Sequence, residues 1–300
     1  MPVLATQFVY VSFTTVLPGI YVKYFGLSAA SLAWALLLTR IFDAVSDPLI
    51  GYFSDVTRSP LGRRKPWIIL GSLITAVGIW QITQPGAVGD VVWHFTFWAI
   101  VFYLGWTMME IPHTAWGSEI DADYDGRNRV FFLRTIFSIF GPLGFAALPV
   151  LIAAPTTEMT PQVMSAVALV FILMVPFCVA ASVLFVPSAS NAVASKQPNP
   201  GIVSACLAIG KNALFWRLLL VFVIGGLAAG ISGTLQFIYL DTYLSIGDKL
   251  AYAIGAMMLS ALVGLPLWLL LMKFVDKHRA WSASLLLASI WVAAPALLEP

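Results

Sequence analysis

Three charged residues lie close together in an otherwise apolar stretch: Arg40, Asp43 and Asp47. They occupy positions i, i+3 and i+7, so on an α-helix all three project from one face. If the helix crosses a bilayer, each carboxylate at its centre costs about 2.5–3.5 kcal/mol, and two acids one turn apart also repel each other. Such a pair persists when Arg40, a shared proton or a bound cation offsets the charge. The spacing indicates a functional site or an ion-pair network that packs helices, and we favour the functional site because intramembrane acids are functional by default.

A second pair of charged residues is split between two apolar stretches. Glu110 lies just before Pro112, and a proline tends to kink a membrane helix and free polar groups inside a bundle. Arg134 follows in the next stretch with no acid near it in sequence. We therefore expect Glu110 and Arg134 to pair with each other or with a polar solute. His113 is adjacent, but a lone histidine is more often a packing residue than a ligand.

Long apolar segments must position these residues. Hydrophobic residues make up 60% of the 300 and charged residues 10%, whereas a soluble domain is nearer half apolar and a quarter charged. A helix needs about 20 mostly apolar residues to cross the hydrocarbon core. The sequence therefore predicts an all-α polytopic membrane protein with nine spans, at 3–22, 30–56, 67–84, 92–118, 129–153, 162–186, 214–241, 250–274 and 281–298.

The loops between these spans predict the domain organisation and the orientation. A polar, proline-rich segment separates a six-helix bundle from three further helices, which gives domains 1–186, a linker 187–213 and 214–300. The even-numbered loops and the linker hold Arg58, Arg63, Arg64, Lys65, Arg127, Arg129, Lys196, Lys211, Lys273, Lys277 and Arg279, while the other loops hold Lys23 and Lys249. The positive-inside rule then predicts a cytoplasmic linker and a cytoplasmic N-terminus in the cytoplasmic (inner) membrane.

Several functional classes are disfavoured by what the sequence lacks. A net charge of +2 without a basic stripe argues against nucleic-acid binding. Cys178 and Cys206 are the two cysteines, and their spacing is not that of metal ligands. The sequence contains no HExxH, GxSxG or paired-cysteine motif, so we expect no catalytic residues and no enzyme activity.

The order of elements resembles the major facilitator superfamily, in which two six-helix halves enclose a central solute site. On that plan helices 10 to 12 would follow Pro300, so we expect the chain to be a fragment or a truncated reading frame. The segment from Gly51 through Asp55 and Arg58 to the run 62–66 resembles the superfamily's loop between helices 2 and 3. In the superfamily that loop braces the cytoplasmic gate. Positive-inside topology accounts for the basic run, which includes Arg63 and Arg64, equally well.

A more specific resemblance is to the melibiose permease-like family of glycoside–pentoside–hexuronide:cation symporters. It is carried in helix 2 by Arg40-x-x-Asp43-Ala-x-x-Asp47-Pro48-x-x-Gly51, continued by Thr57-Arg58-Ser59 and Lys65-Pro66-Trp67. It is also carried by Met109-Glu110-Ile111-Pro112 in helix 4 and by Arg127-x-Arg129 leading to Arg134. The likeness covers the six-helix half and, more loosely, helices 7 to 9.

The resemblance implies a site for the coupling cation, Na⁺ or H⁺. Asp43 and Asp47 match the two helix 2 acids that ligate the cation, and they would be the metal ligands if the cation is Na⁺. Ser46 stands where the family's type member has Asn. Thr107 matches its helix 4 threonine ligand.

The resemblance also implies a solute site, with departures. Glu110 matches a helix 4 acid that binds sugar hydroxyls, with Glu replacing Asp, and Arg134 matches the helix 5 arginine near the sugar. The galactoside-binding acid of helix 1 falls at Gln7, and the sugar-stacking tryptophan of helix 4 falls at Thr114, so galactoside specificity is not supported. Two tryptophans remain as stacking surfaces unless they are ordinary packing or interfacial aromatics: Trp106 and Trp116.

The leading hypothesis is secondary active symport of a small glycoside, pentoside or uronide with Na⁺ or H⁺. The partners it implies are that solute, the coupling cation and the lipid bilayer, with no cofactor beyond the ion and a monomeric state. One alternative keeps the fold but carries another solute, such as a lysolipid or an amphipathic molecule. The other is an inactive fragment, because six helices plus three cannot close an alternating-access cavity.

Overall fold

The computed structural model describes residues 2–86, 89–120, 123–152, 158–187, 210–238, 249–271 and 274–293. Over these ranges the chain forms nine helices and no strand, which confirms the all-α class. The helices are α1 (Pro2–Phe25), α2 (Ala29–Val56), α3 (Lys65–Thr83), α4 (Val91–Glu119), α5 (Tyr124–Ile152), α6 (Pro161–Phe185), α7 (Ala213–Ile238), α8 (Leu250–Leu271) and α9 (Lys277–Ala293). Seven of them, α1 to α6 and α8, are long and apolar enough in their described residues to cross a membrane.

The observed helices follow the nine predicted spans closely. The largest difference is at α5, which begins at Tyr124 rather than at 129. Predicted positions 153, 239–241, 272–273 and 294–298 lie outside the described residues. So does most of the predicted linker, since residues 188–209 are not described, and with them Lys196 and Cys206. The division into domains at 187–213 therefore stays a prediction.

Local sequence signals explain several helix ends. The side chain of Ser28 caps α2 by accepting a hydrogen bond from the Ser31 amide. Asp90 caps α4 by accepting from two amides at 2.9 and 3.1 Å, and Thr160 caps α6 in the same way. These side chains satisfy amides that have no partner within the helix. The C-terminal end of α1 is followed by Gly26, whose φ of 70° lies in the left-handed region that favours glycine.

Helix α1 contains an irregularity near its middle. Residues Ser12–Val16 form a π-helical turn, and Pro18 follows directly after the next residue. Because proline has no backbone N–H, the carbonyl four residues before it loses its α-helical donor. Widened turns of this kind often occur beside prolines and at functional sites.

Small residues allow helix backbones to approach each other closely at two helix crossings of the bundle. At Gly105 of α4 a Cβ would lie 2.4 Å from the Thr75 amide nitrogen of α3. At Gly141 of α5 a Cβ would lie 2.6 Å from the Phe8 amide nitrogen of α1. Helices in a membrane associate largely through such close van der Waals packing. These two crossings therefore fix α4 against α3 and α5 against α1.

Helix α4 lies at the centre of the first six helices. It packs against α2, α3, α1 and α5, while α6 packs against α3 and α1. Phe13 of α1 stacks on Phe102 of α4 with ring centroids 4.0 Å apart. The buried hydroxyl of Tyr21 donates to the Ile82 carbonyl of α3 at 2.7 Å. Farther along the chain α8 packs against α5, and α7 touches the π-helical turn of α1.

Candidate functional site

Helix α2 carries the first polar cluster, beginning with Arg40 and Asp43. Arg40 Nη1 lies 3.1 Å from Asp43 Oδ2. Its Nη2 donates to the hydroxyl of Tyr103 on α4 at 2.5 Å. The Asp43 side chain is only 14% exposed, and its Oδ1 is buried without a hydrogen-bond partner among the described residues. The Arg40 guanidinium thus binds one oxygen of this acid, and the other oxygen accepts no hydrogen bond from a described residue.

The second acid of α2 has a different partner. Thr107 on α4 donates a hydrogen bond of 2.9 Å to Asp47 Oδ1, and the Thr107 side chain is buried. Ser46 is also buried, and its hydroxyl donates to the Asp43 carbonyl at 3.4 Å. The two acids therefore point to separate partners although they lie one turn apart.

The charges of this cluster do not balance. With both acids ionised, Asp43 and Asp47 carry two negative charges against the one positive charge of Arg40, which leaves a formal excess of one negative charge. Carboxylate and hydroxyl oxygens suit a hard cation. Within the described part of the chain there is no group of three or more His, Cys, Asp or Glu side chains that could hold a metal ion. The cluster therefore offers carboxylate and hydroxyl oxygens together with a formal excess of one negative charge.

A second polar cluster lies between α4 and α5. Arg134 of α5 forms an ion pair through Nη2 with Glu110 Oε1 of α4. Its Nη1 lies 2.7 Å from His113 Nδ1. The side chains of Glu110 and Arg134 are only 16% and 18% exposed. The second carboxylate oxygen of Glu110 is buried, and the Thr6 hydroxyl of α1 lies close to the carboxylate.

The other residues expected at the solute site have weaker connections to this cluster. The Thr114 hydroxyl donates to the Glu110 carbonyl at 2.8 Å and is thus satisfied within its own helix. Gln7 is half-buried on α1, where Gly141 of α5 crosses it. Trp106 stacks on Tyr10 of α1 at 5.0 Å, so one face of its ring is already covered. Its indole Nε1 is buried without a hydrogen-bond partner among the described residues.

Charged residues also meet where α2 ends and α3 begins, which we term the α2–α3 end of the bundle. The buried Arg64 forms an ion pair with Asp55 and another, at 2.8 Å, with Glu119 of α4. It also donates to the Ser54 hydroxyl at 2.9 Å. Arg63 binds the same oxygen of Glu119 at 2.8 Å. The network thus ties the end of α2 and the start of α3 to the end of α4.

The remaining residues of this end fall into two groups. Gly51 lies on α2 against Ile111 of α4, and Arg58 is exposed. Lys65 is buried; its ammonium donates to the Val183 carbonyl of α6 at 2.7 Å and lies 5.3 Å from the centre of the Trp116 ring. Lys65 and Trp116 therefore connect α3, α4 and α6 at this end.

Three partners were not identified from the sequence: Tyr103, His113 as a partner of Arg134, and Glu119. Tyr103 and Arg40 are 63 positions apart, and no local pattern links them. Glu119 gave a signal that could have been used, because it is an acid at the end of α4 where the basic run of the neighbouring loop requires counter-charges. His113 follows Glu110 by three positions, so both side chains share a face of α4.

Several known proteins resemble this chain in sequence. A family model described as "MFS/sugar transport protein" matches residues 1–300. A protein named "Uncharacterized symporter sll1374", from Synechocystis sp., is 35% identical over 138 residues, which cover 43% of this chain and 25% of that protein. The "Putative glycoside/cation symporter YagG" of Escherichia coli is 28% identical over 147 residues, covering 48% and 32%.

Another relative is named for a different substrate. The "Sodium-dependent lysophosphatidylcholine symporter 1" of Xenopus tropicalis is 27% identical over 106 residues, covering 34% of this chain and 20% of that protein. The matched region thus spans a fifth to a third of the length of these relatives. The family model covers the chain from end to end, and together with the helical bundle it identifies the protein as a multi-pass membrane protein that belongs to the MFS/sugar transport protein family.

Proposed function

We propose that the protein is a secondary active transporter that moves a small glycoside, pentoside or uronide across the cytoplasmic membrane together with Na⁺ or H⁺. The observation that supports this most strongly is that both polar clusters share one helix. Thr107, which binds Asp47, and Glu110, which binds Arg134, lie three residues apart on α4. The relatives named as symporters, one of them for glycosides, support the same conclusion.

In this proposal the cation binds at the cluster with the uncompensated negative charge. Asp43 Oδ1, Asp47 and the Thr107 hydroxyl are the candidate ligands, and Ser46 lies beside them. A cation there relieves the repulsion between the two carboxylates. When it binds, the Thr107 hydroxyl shifts from donating to Asp47 towards ligating the ion, and α4 transmits that change by one turn to Glu110. Binding of cation and solute would then be coupled, and coupling of this kind is reciprocal.

The solute binds in the proposal at Glu110 and Arg134, with Gln7 and Thr114 at the periphery. A carboxylate and a guanidinium offer acceptors and donors to the hydroxyl groups of a glycoside. The ion-pair network of Arg63, Arg64 and Asp55 would hold the cytoplasmic side closed. We further propose a cytoplasmic N-terminus, a monomer, and transport without any cofactor other than the coupling ion.

Uptake into proteoliposomes tests this function. The purified protein is reconstituted, and uptake of radiolabelled methyl β-D-galactoside, methyl β-D-xyloside and methyl β-D-glucuronide is measured under an inward Na⁺ gradient, an inward H⁺ gradient or neither. We expect one of the gradients to stimulate uptake and an ionophore that collapses it to abolish the stimulation. Uptake at the same rate with either gradient or without one would indicate a facilitator. No uptake of any kind would favour an inactive fragment.

A second candidate cargo is a lysolipid, which the name of the Xenopus tropicalis relative suggests. Adding labelled lysophosphatidylcholine to the panel separates the two cargoes. Under the glycoside proposal the lysolipid neither enters with the cation nor competes with the sugars. Cation-stimulated uptake of the lysolipid alone would replace the glycoside with an amphipathic substrate.

A further inference from the structure

His113 lies beside Glu110 and Arg134, at the solute site proposed above, and no pattern in the sequence indicated a role for it. Its Nδ1 is 2.7 Å from Arg134 Nη1, while the neighbouring Nη2 of the same guanidinium binds Glu110. Glu110 and His113 follow each other by three positions on α4, so they reach Arg134 from one face of that helix. Two side chains of α4 therefore hold both terminal nitrogens of one arginine of α5.

The contact determines the protonation of the histidine. A guanidinium has only donors and does not lose its proton in proteins. The His113 Nδ1 atom facing it must therefore accept, which requires a neutral ring with its proton on Nε2. That Nε2–H donor has no acceptor among the described residues. The ring thus supplies one acceptor to Arg134 and retains one donor.

We propose, on the basis of the function proposed above, that His113 is a positioning residue for the solute. It holds the Arg134 guanidinium in a fixed orientation against Glu110, and its own Nε2–H is a further donor to the solute. Glu110 and Arg134 cancel each other's charge and the ring is neutral, so these three side chains together carry no net charge. Such a set of donors and acceptors favours a neutral, hydroxyl-bearing glycoside over the carboxylate of a uronide, which would face Glu110.

The tautomer can be measured without any solute. The protein is labelled with ¹⁵N in its histidine rings, and a two-bond ¹H–¹⁵N spectrum at neutral pH is compared with that of His113→Asn to assign the His113 signals. We expect the pattern of a neutral ring protonated at Nε2. A ring protonated at Nδ1, or at both nitrogens, would refute the contact with Arg134. Because no substrate is added, this result is independent of whether the protein transports glycosides.

Substitutions then test the positioning role. Asn presents its side-chain oxygen at the place of Nδ1, whereas Phe keeps the ring but offers no acceptor. Hydrogen bonds to charged groups are among the stronger ones, so His113→Phe should weaken binding of methyl β-D-xyloside by about tenfold or more. His113→Asn should recover the part of that loss that comes from the contact with Arg134. The control is His94→Phe, a matched change near the start of α4, whose ring contacts the Gln81 carbonyl instead.

Four outcomes separate a failure of this proposal from a failure of the function on which it rests. Equal losses in His113→Phe and His113→Asn would show that the ring only packs, and unchanged binding in both would remove His113 from the site. In the wild type the xyloside should bind more tightly than methyl β-D-glucuronide, and the reverse order would overturn the neutral-solute preference. If neither glycoside binds, the proposed function fails in this form while the tautomer still decides the contact between His113 and Arg134.

Discussion

The hydroxyl of Thr107 on α4 donates a hydrogen bond of 2.9 Å to Asp47 on α2. One turn farther along α4, Glu110 forms an ion pair with Arg134 of α5. A helix transmits displacement along its axis because its backbone hydrogen bonds make it stiff. A change at Asp47 would therefore reach Glu110 and Arg134 through a single turn of α4. This relationship is the physical basis of the coupling that we propose.

Asp47→Asn should remove cation-stimulated uptake and leave weak solute binding. With one acid replaced, Arg40 balances the remaining Asp43, and the cluster no longer has an excess negative charge for a cation to neutralise. The measurement is solute binding against Na⁺ concentration at fixed pH, repeated across pH. Asp43→Asn should act in the same direction, with the smaller effect of the two. Full cation stimulation in both variants would show that these acids are structural and that the coupling cation does not bind at this cluster.

The control for these variants is Asp90→Asn. Asp90 caps the start of α4 by accepting from two backbone amides, and Asn is an equally good capping residue. This variant removes a carboxylate from the same bundle without touching the α2 cluster. Its cation dependence should equal that of the wild type.

Thr107→Val should weaken the apparent affinity for the cation. Valine has nearly the same shape but cannot donate to Asp47 or ligate an ion, and a hydrogen bond to a charged group contributes about 1.5–3 kcal/mol. We expect a loss of about tenfold or more in Na⁺ titrations of uptake, with Thr107→Ser close to wild type. The matched control is Thr96→Val, since the Thr96 hydroxyl donates to the Val92 carbonyl of its own helix and to no other described residue. Equal titrations for Thr107→Val and wild type would exclude Thr107 as a ligand.

Glu110→Gln should weaken solute binding while leaving cation binding largely intact. The amide keeps an acceptor oxygen but loses the charge that pairs with Arg134, so Arg134 retains an unbalanced charge in a nearly buried place. Solute and cation affinities are measured separately by titrating each at a saturating level of the other. Glu158→Gln, at a half-exposed glutamate far from both clusters in sequence, is the control. Loss of cation binding with solute binding intact would show that the two sites are assigned the wrong way round.

Arg64→Ala should destabilise the α2–α3 end of the bundle. Removing Arg64 leaves the half-buried Glu119 with Arg63 as its only ion-pair partner among the described residues, and breaking a fully buried pair costs about 3–5 kcal/mol. We expect a clearly lower midpoint of thermal unfolding in detergent. Arg58→Ala removes an exposed arginine from the same loop and should change stability by no more than about 0.5 kcal/mol. Similar midpoints for the two variants would contradict a bracing role for Arg64.

Low pH should weaken the contact between Glu158 and the C-terminal end of α1. Hydrogen bonds from Lys23 and Tyr24, both of 2.9 Å, hold the pKa of Glu158 below its ordinary range. A depressed pKa means that the contact contributes stability above the ordinary glutamate pKa of about 4.3 and loses it as the pH falls through the folded value.

The size of this acid effect should be small. The Lys23 and Glu158 side chains are 50% and 43% exposed, so the contact contributes about 0.2–1 kcal/mol at most. Glu158→Gln should therefore be slightly less stable than wild type near neutral pH and equal to it at strongly acidic pH. A stability difference that is independent of pH would show that the charge of Glu158 plays no part.

The sequence by itself determined the helices and the shared face of the three charged residues of α2. Apolar runs of membrane-spanning length predict where helices lie, because a backbone in lipid must satisfy its own hydrogen bonds. The 3.6-residue period then places Arg40, Asp43 and Asp47 on one face without knowledge of any neighbour. The all-α fold and the helix positions were confirmed on this basis, while the assignment of cation and solute sites remains a prediction.

Only the tertiary structure decided which side chains meet. Tyr103 binds Arg40, Glu119 binds Arg63 and Arg64, and His113 binds Arg134. Such pairs join residues of different helices, or of a helix and the loop before α3, and they depend on where the helix axes cross and how each helix is rotated. Those crossings are set by close packing at small residues, as at Gly105, which is a property of two surfaces together. A periodic pattern defines the face of one helix but carries no information about which face of another helix will cover it.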